Sequence, residues 1–119
     1  MTVKNATIYH NPRCSKSRET LELLRAHGVE PTIIEYLKTP PGIDELQSLL
    51  TKLQISPQEL IRSNEDAYKT LPLPEPNADL EKWLAVLSAN PVLIQRPIVV
   101  IGNRAVIGRP PENVLSLLR

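Results

Sequence analysis

Apolar and polar positions near the N-terminus follow first the period of a strand and then that of a helix. Thr2 to Tyr9 is rich in apolar and β-favouring residues, which predicts a first strand. Leu21 and Leu24 then recur at helical spacing, and Gly28 is a favourable residue for ending a helix. We therefore predict a helix that begins at Cys14 or the residue after it, directly behind a tight loop.

The rest of the chain predicts a second strand, a helical region, a hairpin and a last helix. Pro31–Leu37 is rich in β-branched residues, and its connection through a helix makes it parallel to the first strand. Helical spacing dominates Gly42–Ala89, which we interpret as an insertion. Ile98–Ile101 and Arg104–Ile107, joined by Gly-Asn, have the pattern of a hairpin, and a last helix follows them.

Several side chains are assigned to the helices of the later part of the chain. A short helix from Pro57 to about Ser63, capped by Ser56, is expected to carry Arg62 at its end. Trp83 shares a helical face with leucines and is interpreted as a core residue. The apolar faces of two helices are predicted to comprise Leu80, Trp83, Leu84 and Leu87 in the first and Val114, Leu115 and Leu118 in the second.

The predicted order of elements is β-α-β, a helical insertion, then β-β-α. A four-stranded mixed sheet flanked by helices is the arrangement of the thioredoxin-like α/β fold. Residues 1–119 are expected to form a single domain, because this length suits one hydrophobic core.

Composition and charge exclude several classes of function. The formal net charge of +1 gives no broad electrostatic basis for binding nucleic acid or an anionic membrane. No apolar run approaches the roughly 20 residues of a membrane span, and Met1 to Ala6 lacks the apolar core of a signal peptide. One cysteine cannot form an internal disulfide, so we expect a cytoplasmic protein.

Cys14, the single cysteine, is the candidate nucleophile. At the start of a helix, free N–H groups and the helix dipole favour the thiolate over the thiol. Further polar or cationic groups close by in the sequence belong to His10, Arg13, Lys16 and Arg18. The same helix end is also suited to binding an oxyanion, so one stretch combines a nucleophile with an anion site.

Three later arginines, Arg62, Arg96 and Arg109, are candidate anion ligands. Each alone is compatible with a surface charge, and the sequence does not show that they converge. Arg96 precedes Pro97, and an X-Pro bond at a strand entry is a candidate cis peptide. His10 either bonds a backbone carbonyl or orients the cysteine loop. The His, Cys, Asp and Glu residues show no metal-ligand spacing, so we expect no metal.

Five stretches from end to end of the chain carry a family resemblance. They are Ile8–Arg18, Glu30–Leu37, Glu59–Arg62, Arg96–Val100 and Ile107–Glu112. The first contains the pattern His-Asn-Pro-x-Cys, and together the five resemble the glutaredoxin-dependent ArsC family of arsenate reductases. Within that family, the basic surroundings of the cysteine are similar to those of the short stand-alone proteins of the YfgD type.

The resemblance implies an activity and a set of site residues. It implies reduction of arsenate, or a similar oxyanion, with glutathione as co-substrate, glutaredoxin as partner and no bound cofactor. We expect a monomer. The site residues are Cys14 as nucleophile, Arg62, Arg96 and Arg109 as oxyanion ligands, and His10, Asn11, Ser17 and Pro97 as supporting residues.

Two alternatives stay open beside this reductase. One is a glutathione-linked thiol-redox protein in which Cys14 handles mixed disulfides without arsenate turnover. The other is a regulatory binding module similar to the Spx-type regulators, many of which sense redox state through a Cys-x-x-Cys pair. Ser17 stands where the second cysteine of such a pair would be, which argues against a redox switch of that kind.

Overall fold

The computed structural model describes residues 5–62 and 66–118, without the side chains of residues 66 and 67. The chain divides into two compact units. Unit one consists of the residues up to Thr39 together with those from Arg96 onward, and unit two consists of Pro40–Gln95. The predicted helical insertion falls inside unit two.

Unit one contains a mixed sheet of four strands. Strand β1 lies parallel to β2 and antiparallel to β3, and β3 pairs with β4, which gives the order β2-β1-β3-β4. This arrangement confirms the thioredoxin-like α/β fold and the parallel first pair. The elements of unit one are β1 (Ala6–His10), α1 (Ser15–Ala26), β2 (Thr32–Glu35), β3 (Ile98–Ile101), β4 (Arg104–Ile107) and a 3₁₀ helix (Pro111–Leu118).

The core of unit one forms where one face of the sheet meets α1 and the last 3₁₀ helix. Side chains alternate between the faces of a strand, so Ala6 and Ile8 of β1 share a face with their partners Ile101 and Val99 of β3. These side chains pack with Leu21, Leu24, Val29, Val114 and Leu117 in one buried cluster. The C-terminal half of α1 is therefore packed against the central strands.

Both ends of α1 form as the sequence predicts. Cys14 is the N-cap residue, with extended backbone angles of φ −94° and ψ 123°. The helix ends at Ala26, and Gly28 follows with φ +80°, a conformation that favours glycine. The N–H of Val29 then donates to the carbonyl of Leu24 at 2.9 Å, which satisfies one of the free carbonyls of the last turn.

Unit two is helical, as predicted. Its buried positions include leucines of two helices and of the short 3₁₀ helix between them, together with Ile61, Leu93 and Ile94, and Trp83 is buried as a core residue. The indole N–H of Trp83 donates to the carbonyl of Glu75 at 3.2 Å. The elements are α2 (Ile43–Leu53), a 3₁₀ helix (Pro57–Leu60), α3 (Asp66–Thr70), α4 (Leu80–Ala89) and a 3₁₀ helix (Pro91–Leu93). None of the helices in the described part of the chain has the length and apolarity needed to cross a membrane.

The boundaries of three elements differ from the prediction. The first strand covers Ala6–His10, so it leaves out Asn5 and ends one residue later than predicted, and its predicted start at Thr2 lies outside the described residues. The second strand covers Thr32–Glu35 rather than Pro31–Leu37, because the chain turns after Glu35 and the N–H groups of Lys38 and Thr39 bond its carbonyl. The short helix after Ser56 is a 3₁₀ helix that ends at Leu60, because the next residue is extended and forms an isolated β-bridge. Arg62 therefore lies beyond this helix. The predicted end at about Ser63 lies outside the described residues.

Two predicted helical faces are also partly wrong. Leu80 is 39% exposed, although Trp83, Leu84 and Leu87 are buried as expected. In the last helix, Val114 is buried as predicted, and Leu118 is half-buried and packs against the core cluster. Leu117, which the prediction did not place inward, is buried, and Leu115 is only half-buried. That helix is 3₁₀, and its three-residue period places Leu117 directly above Val114.

Candidate active site

The loop between β1 and α1 is a tight turn stabilised by Asn11. The N–H of Cys14 donates to the carbonyl of Asn11 at 3.0 Å, and the N–H of Arg13 donates to its Oδ1, also at 3.0 Å. Pro12 occupies the second position of the turn, where its fixed φ is favourable. This turn takes the chain from the end of the strand to the start of α1 and leaves Cys14 at the N-terminus of the helix.

Ser17 joins the end of β1 to the first turn of α1. Its side chain is 0% exposed, and its Oγ lies 2.6 Å from Nδ1 of His10, which is only 6% exposed. The N–H of Asn11 donates to the same Oγ at 3.0 Å. The sequence left two interpretations of His10, and this contact favours the one in which the histidine orients the cysteine loop.

The surroundings of the Cys14 sulfur favour its charged form. Burial by itself raises the pKa of this half-buried thiol. The backbone N–H of Ser17, the hydrogen bond and positive charge of Arg96, and the backbone N–H of Lys16 all lower it, and together they outweigh burial. The pKa of Cys14 therefore lies below its usual value, and the residue is a candidate thiolate nucleophile.

Burial also keeps His10 in its neutral form. Removal from water lowers the pKa of His10, and the charges of Arg18 and Arg25 lower it further, whereas the Glu35 carboxylate opposes the shift. The net pKa lies below the usual value for histidine. At neutral pH, His10 thus faces Ser17 as an uncharged imidazole, and it acts on the cysteine loop by hydrogen bonding rather than by charge.

Arg96 lies beside the cysteine although 81 positions separate the two in sequence. It stands immediately before β3, which pairs with β1, so the sheet brings the entry of one strand to the exit of the other. The Arg96-Pro97 peptide bond, which the sequence indicated only as a candidate, is cis, and the Arg109-Pro110 bond is cis as well. The carbonyl of buried Pro97 accepts the N–H of Gly108 at 2.8 Å.

The other two candidate arginines lie in different settings. Arg109 follows Gly108 at the end of the hairpin, and its side chain is exposed. Arg62 belongs to unit two, where its N–H donates to the carbonyl of Leu93 at 2.7 Å. Their roles as oxyanion ligands stay predictions. Within the described ranges, no group of three or more His, Cys, Asp or Glu side chains is placed to hold a metal ion.

Sequence reasoning missed Thr20, Gly108 and Asn113. Thr20 is fully buried on α1, and both it and the Pro97 ring closely approach Gly108. The side-chain amide of Asn113 donates to the carbonyls of Ile107 and Arg109, on either side of Gly108. The one available signal was that Thr20 stands three residues after Ser17, a spacing that places two polar side chains on one helical face.

Comparison with known proteins gives consistent results along the whole chain. Residues 9–117 match the ArsC family. The uncharacterized protein YfgD of Escherichia coli (strain K12) is 49% identical over 116 residues, which cover 97% of this chain and 98% of that protein. The arsenate reductase of the same strain is 45% identical, over 98% of this chain and 82% of its own length.

A solved structure shows the same fold. An arsenate reductase from Vibrio cholerae superposes with a TM-score of 0.91 at 42% sequence identity. The superposition covers 97% of this chain and 98% of that one. The likeness therefore includes both units of the chain rather than the sheet alone.

Proposed function

The chain belongs to the ArsC family, and on that premise we propose that it is an arsenate reductase that uses glutathione and glutaredoxin as reductants. The observation that carries this proposal is the environment of the Cys14 sulfur. Two backbone N–H groups and the Arg96 guanidinium contact it and favour the thiolate. We infer the substrate from a relative and a solved structure that bear the name arsenate reductase.

Arsenate is a tetrahedral oxyanion, and the proposed ligands suit its charge. The backbone N–H groups at the start of α1 and the Arg96 guanidinium are donors already placed at the sulfur. Arg109, at the end of the hairpin, and Arg62, assigned by the resemblance, are the further ligands in this proposal. Guanidinium groups bind such anions through paired hydrogen bonds, which orient the arsenic atom toward the thiolate as well as neutralise its oxygens.

The first step joins sulfur to arsenic without a change in oxidation state. The Cys14 thiolate attacks arsenic, an S–As bond forms, and an As–O bond breaks as the oxygen takes up protons and leaves as water. Glutathione then displaces a second oxygen as water. The product carries both the enzyme sulfur and the glutathione sulfur on As(V).

The second stage reduces arsenic and requires an outside thiol. The glutaredoxin thiolate attacks the glutathione sulfur, the S–As bond on that side breaks, and its electron pair stays on arsenic, which becomes As(III). A glutaredoxin–glutathione disulfide forms, and a second glutathione reduces it. Water releases arsenite and restores Cys14. The chain has one cysteine and cannot supply the second thiol itself, and in this proposal glutathione and glutaredoxin supply it.

A coupled assay tests the proposal. Arsenate, glutathione, glutaredoxin and glutathione reductase are combined with the protein, and NADPH oxidation is followed. We expect turnover with the wild type and with His27→Gln, a change at an exposed histidine, and none above background with Cys14→Ser. Equal NADPH oxidation by the wild type and Cys14→Ser would contradict the proposal.

The thiolate environment also favours a second candidate function, transfer of glutathione between thiols without arsenic. Binding of arsenate separates the two. A reductase site holds arsenate close to the sulfur, so arsenate should slow alkylation of Cys14 by iodoacetamide. A glutathione transferase of this kind would show alkylation that is insensitive to arsenate, together with reduction of mixed disulfides.

A further inference from the structure

The segment Ile107–Pro110, here called the arginine turn, carries Arg109 and is held by hydrogen bonds at each of its residues. The N–H of Gly108 donates to the Pro97 carbonyl at 2.8 Å. The side-chain amide of Asn113 donates to the carbonyls of Ile107, at 3.1 Å, and Arg109, at 3.2 Å. The backbone N–H of Asn113 donates to the carbonyl of Pro110 at 3.0 Å.

Gly108 allows the arginine turn to lie against α1 more closely than any side chain would permit. A Cβ atom at this position would lie 2.7 Å from Oγ1 of Thr20 and 2.9 Å from Cγ of Pro97. Neither neighbour has room to move, since both are buried. The Thr20 hydroxyl donates to the Lys16 carbonyl at 2.8 Å and lies 3.3 Å from the Gly108 carbonyl.

We propose that Gly108 and Asn113 are positioning residues that set Arg109 relative to the cysteine-bearing helix, an inference that rests on the proposed oxyanion site. Gly108 sets how near the turn lies to α1, and Asn113 fixes the carbonyls on both sides of Gly108. The Arg109 side chain is exposed, so the backbone, rather than the packing of its own side chain, determines where it starts. The groups that lower the pKa of Cys14 belong to Ser17, Lys16 and Arg96, and neither positioning residue is among them.

The test measures how well arsenate protects Cys14 from iodoacetamide in intact variants. Asn113→Ala removes both amide hydrogen bonds from an exposed side chain, so the fold should persist. We expect the arsenate concentration for half protection to rise about two- to tenfold, the range for loss of a hydrogen bond. The alkylation rate without arsenate should not change, because the donors around the sulfur are intact. If Asn113 had only a structural role, its loss would change arsenate protection and the alkylation rate without arsenate together.

A double-mutant cycle then asks whether Asn113 acts through Arg109. In an Arg109→Ala background, Asn113→Ala should have almost no further effect on protection, because the group that it positions is gone. Ser116→Ala is the matched control. Ser116 is exposed on the same 3₁₀ helix and donates to the carbonyl of Asn113 at 2.9 Å, but it does not bond the arginine turn. This control should leave half protection unchanged.

Each outcome decides the inference. Non-additive losses in the cycle, with an unchanged control, support it. The inference is overturned if Asn113→Ala weakens arsenate protection equally with and without Arg109. It is also overturned if arsenate protects the wild type and Asn113→Ala does not weaken that protection. Both results leave the proposed function standing. A wild type that arsenate does not protect contradicts the proposed function and overturns the inference with it. Gly108→Ala, checked for folding by circular dichroism, should weaken protection more than Asn113→Ala.

Discussion

At the scale of single residues, Cys14 differs from an ordinary buried thiol because fixed donors surround its sulfur. Burial alone would hold the proton on the thiol, and the N–H groups of Ser17 and Lys16 together with Arg96 reverse that preference. The side chain of Ser17 is bonded to His10 and Asn11, so the N–H that faces the sulfur belongs to a residue that is held in place. The sequence predicted the residues of this group but not the contacts between them.

Removal of Arg96 should raise the pKa of Cys14. Arg96→Ala takes away a hydrogen bond and a positive charge from the sulfur while leaving it half-buried. The rate of alkylation by iodoacetamide follows the thiolate fraction, so its pH midpoint should move to higher pH. Arg104→Ala, which removes an exposed arginine from β4, is the matched control and should leave the midpoint in place. Equal midpoints for the two variants would contradict the assignment.

His10 should make the free energy of unfolding depend on pH. Its pKa is lowered in the folded protein, so the unfolded chain binds the proton more readily. The resulting stabilisation is fully present above the unfolded pKa of about 6.5 and is lost as pH falls through the lower folded value.

Urea unfolding at about pH 7.5 and about pH 5.5, on either side of the unfolded pKa, measures this effect. The wild type should lose more stability between the two values than His10→Gln, in which the titrating group is gone. The control is His27→Gln, a change at the second of the two histidines, which is exposed. That variant should keep the wild-type pH dependence, and an identical dependence in His10→Gln would refute the assignment.

At the scale of elements, the two ends of α1 have different roles. Its N-terminus presents backbone N–H groups to the sulfur, and its buried residues Leu21 and Leu24 fix it to the sheet. Element type and order were predictable because hydrophobic periodicity and turn residues are local signals. The 3₁₀ helix at Pro57–Leu60 ended earlier than its local signals indicated, because a bridge between Ile61 and Ile94 holds the next residue extended.

The glycine at the end of α1 provides a test at this scale. Gly28 has a φ of +80°, so Gly28→Ala should lower the free energy of unfolding by about 1 kcal/mol, even though no atom lies in the way of the new Cβ. Gly42 likewise has open space around it but no positive φ. Gly42 is the N-cap residue of α2, where alanine is less favourable than glycine, but alanine also lowers the entropy of the unfolded chain. These two effects oppose each other, so Gly42→Ala should change stability by no more than about 0.5 kcal/mol. Urea titration of both variants measures the difference, and equal losses would show that φ is not the cause.

At the scale of the whole molecule, the chain has one thiol and two compact units. That these units fold as one domain and that the protein is monomeric stay predictions. The single thiol limits the thiol–disulfide exchange that the protein can carry out. Cys14 can form a mixed disulfide with glutathione, but the chain has no second thiol to reduce that disulfide.

Incubation with oxidised glutathione tests this limit. We expect one glutathione per chain by intact mass, attached at Cys14, and no further product without an added thiol. Cys14→Ser should take up none. Added glutaredoxin and glutathione should return the modified protein to its starting mass. A modified protein that loses its glutathione without any added thiol would contradict a single-thiol mechanism.

By itself, the sequence determined the order of the elements, the thioredoxin-like sheet and the placement of Cys14 at a helix start, because periodicity, turn residues and helix ends are encoded by neighbouring residues. The tertiary structure alone decided that Arg96 contacts the sulfur and that Thr20 and Pro97 lie against Gly108. Those contacts join residues far apart in the chain, and their geometry depends on how β1 pairs with β3 and how α1 packs on the sheet. No local pattern carries that information.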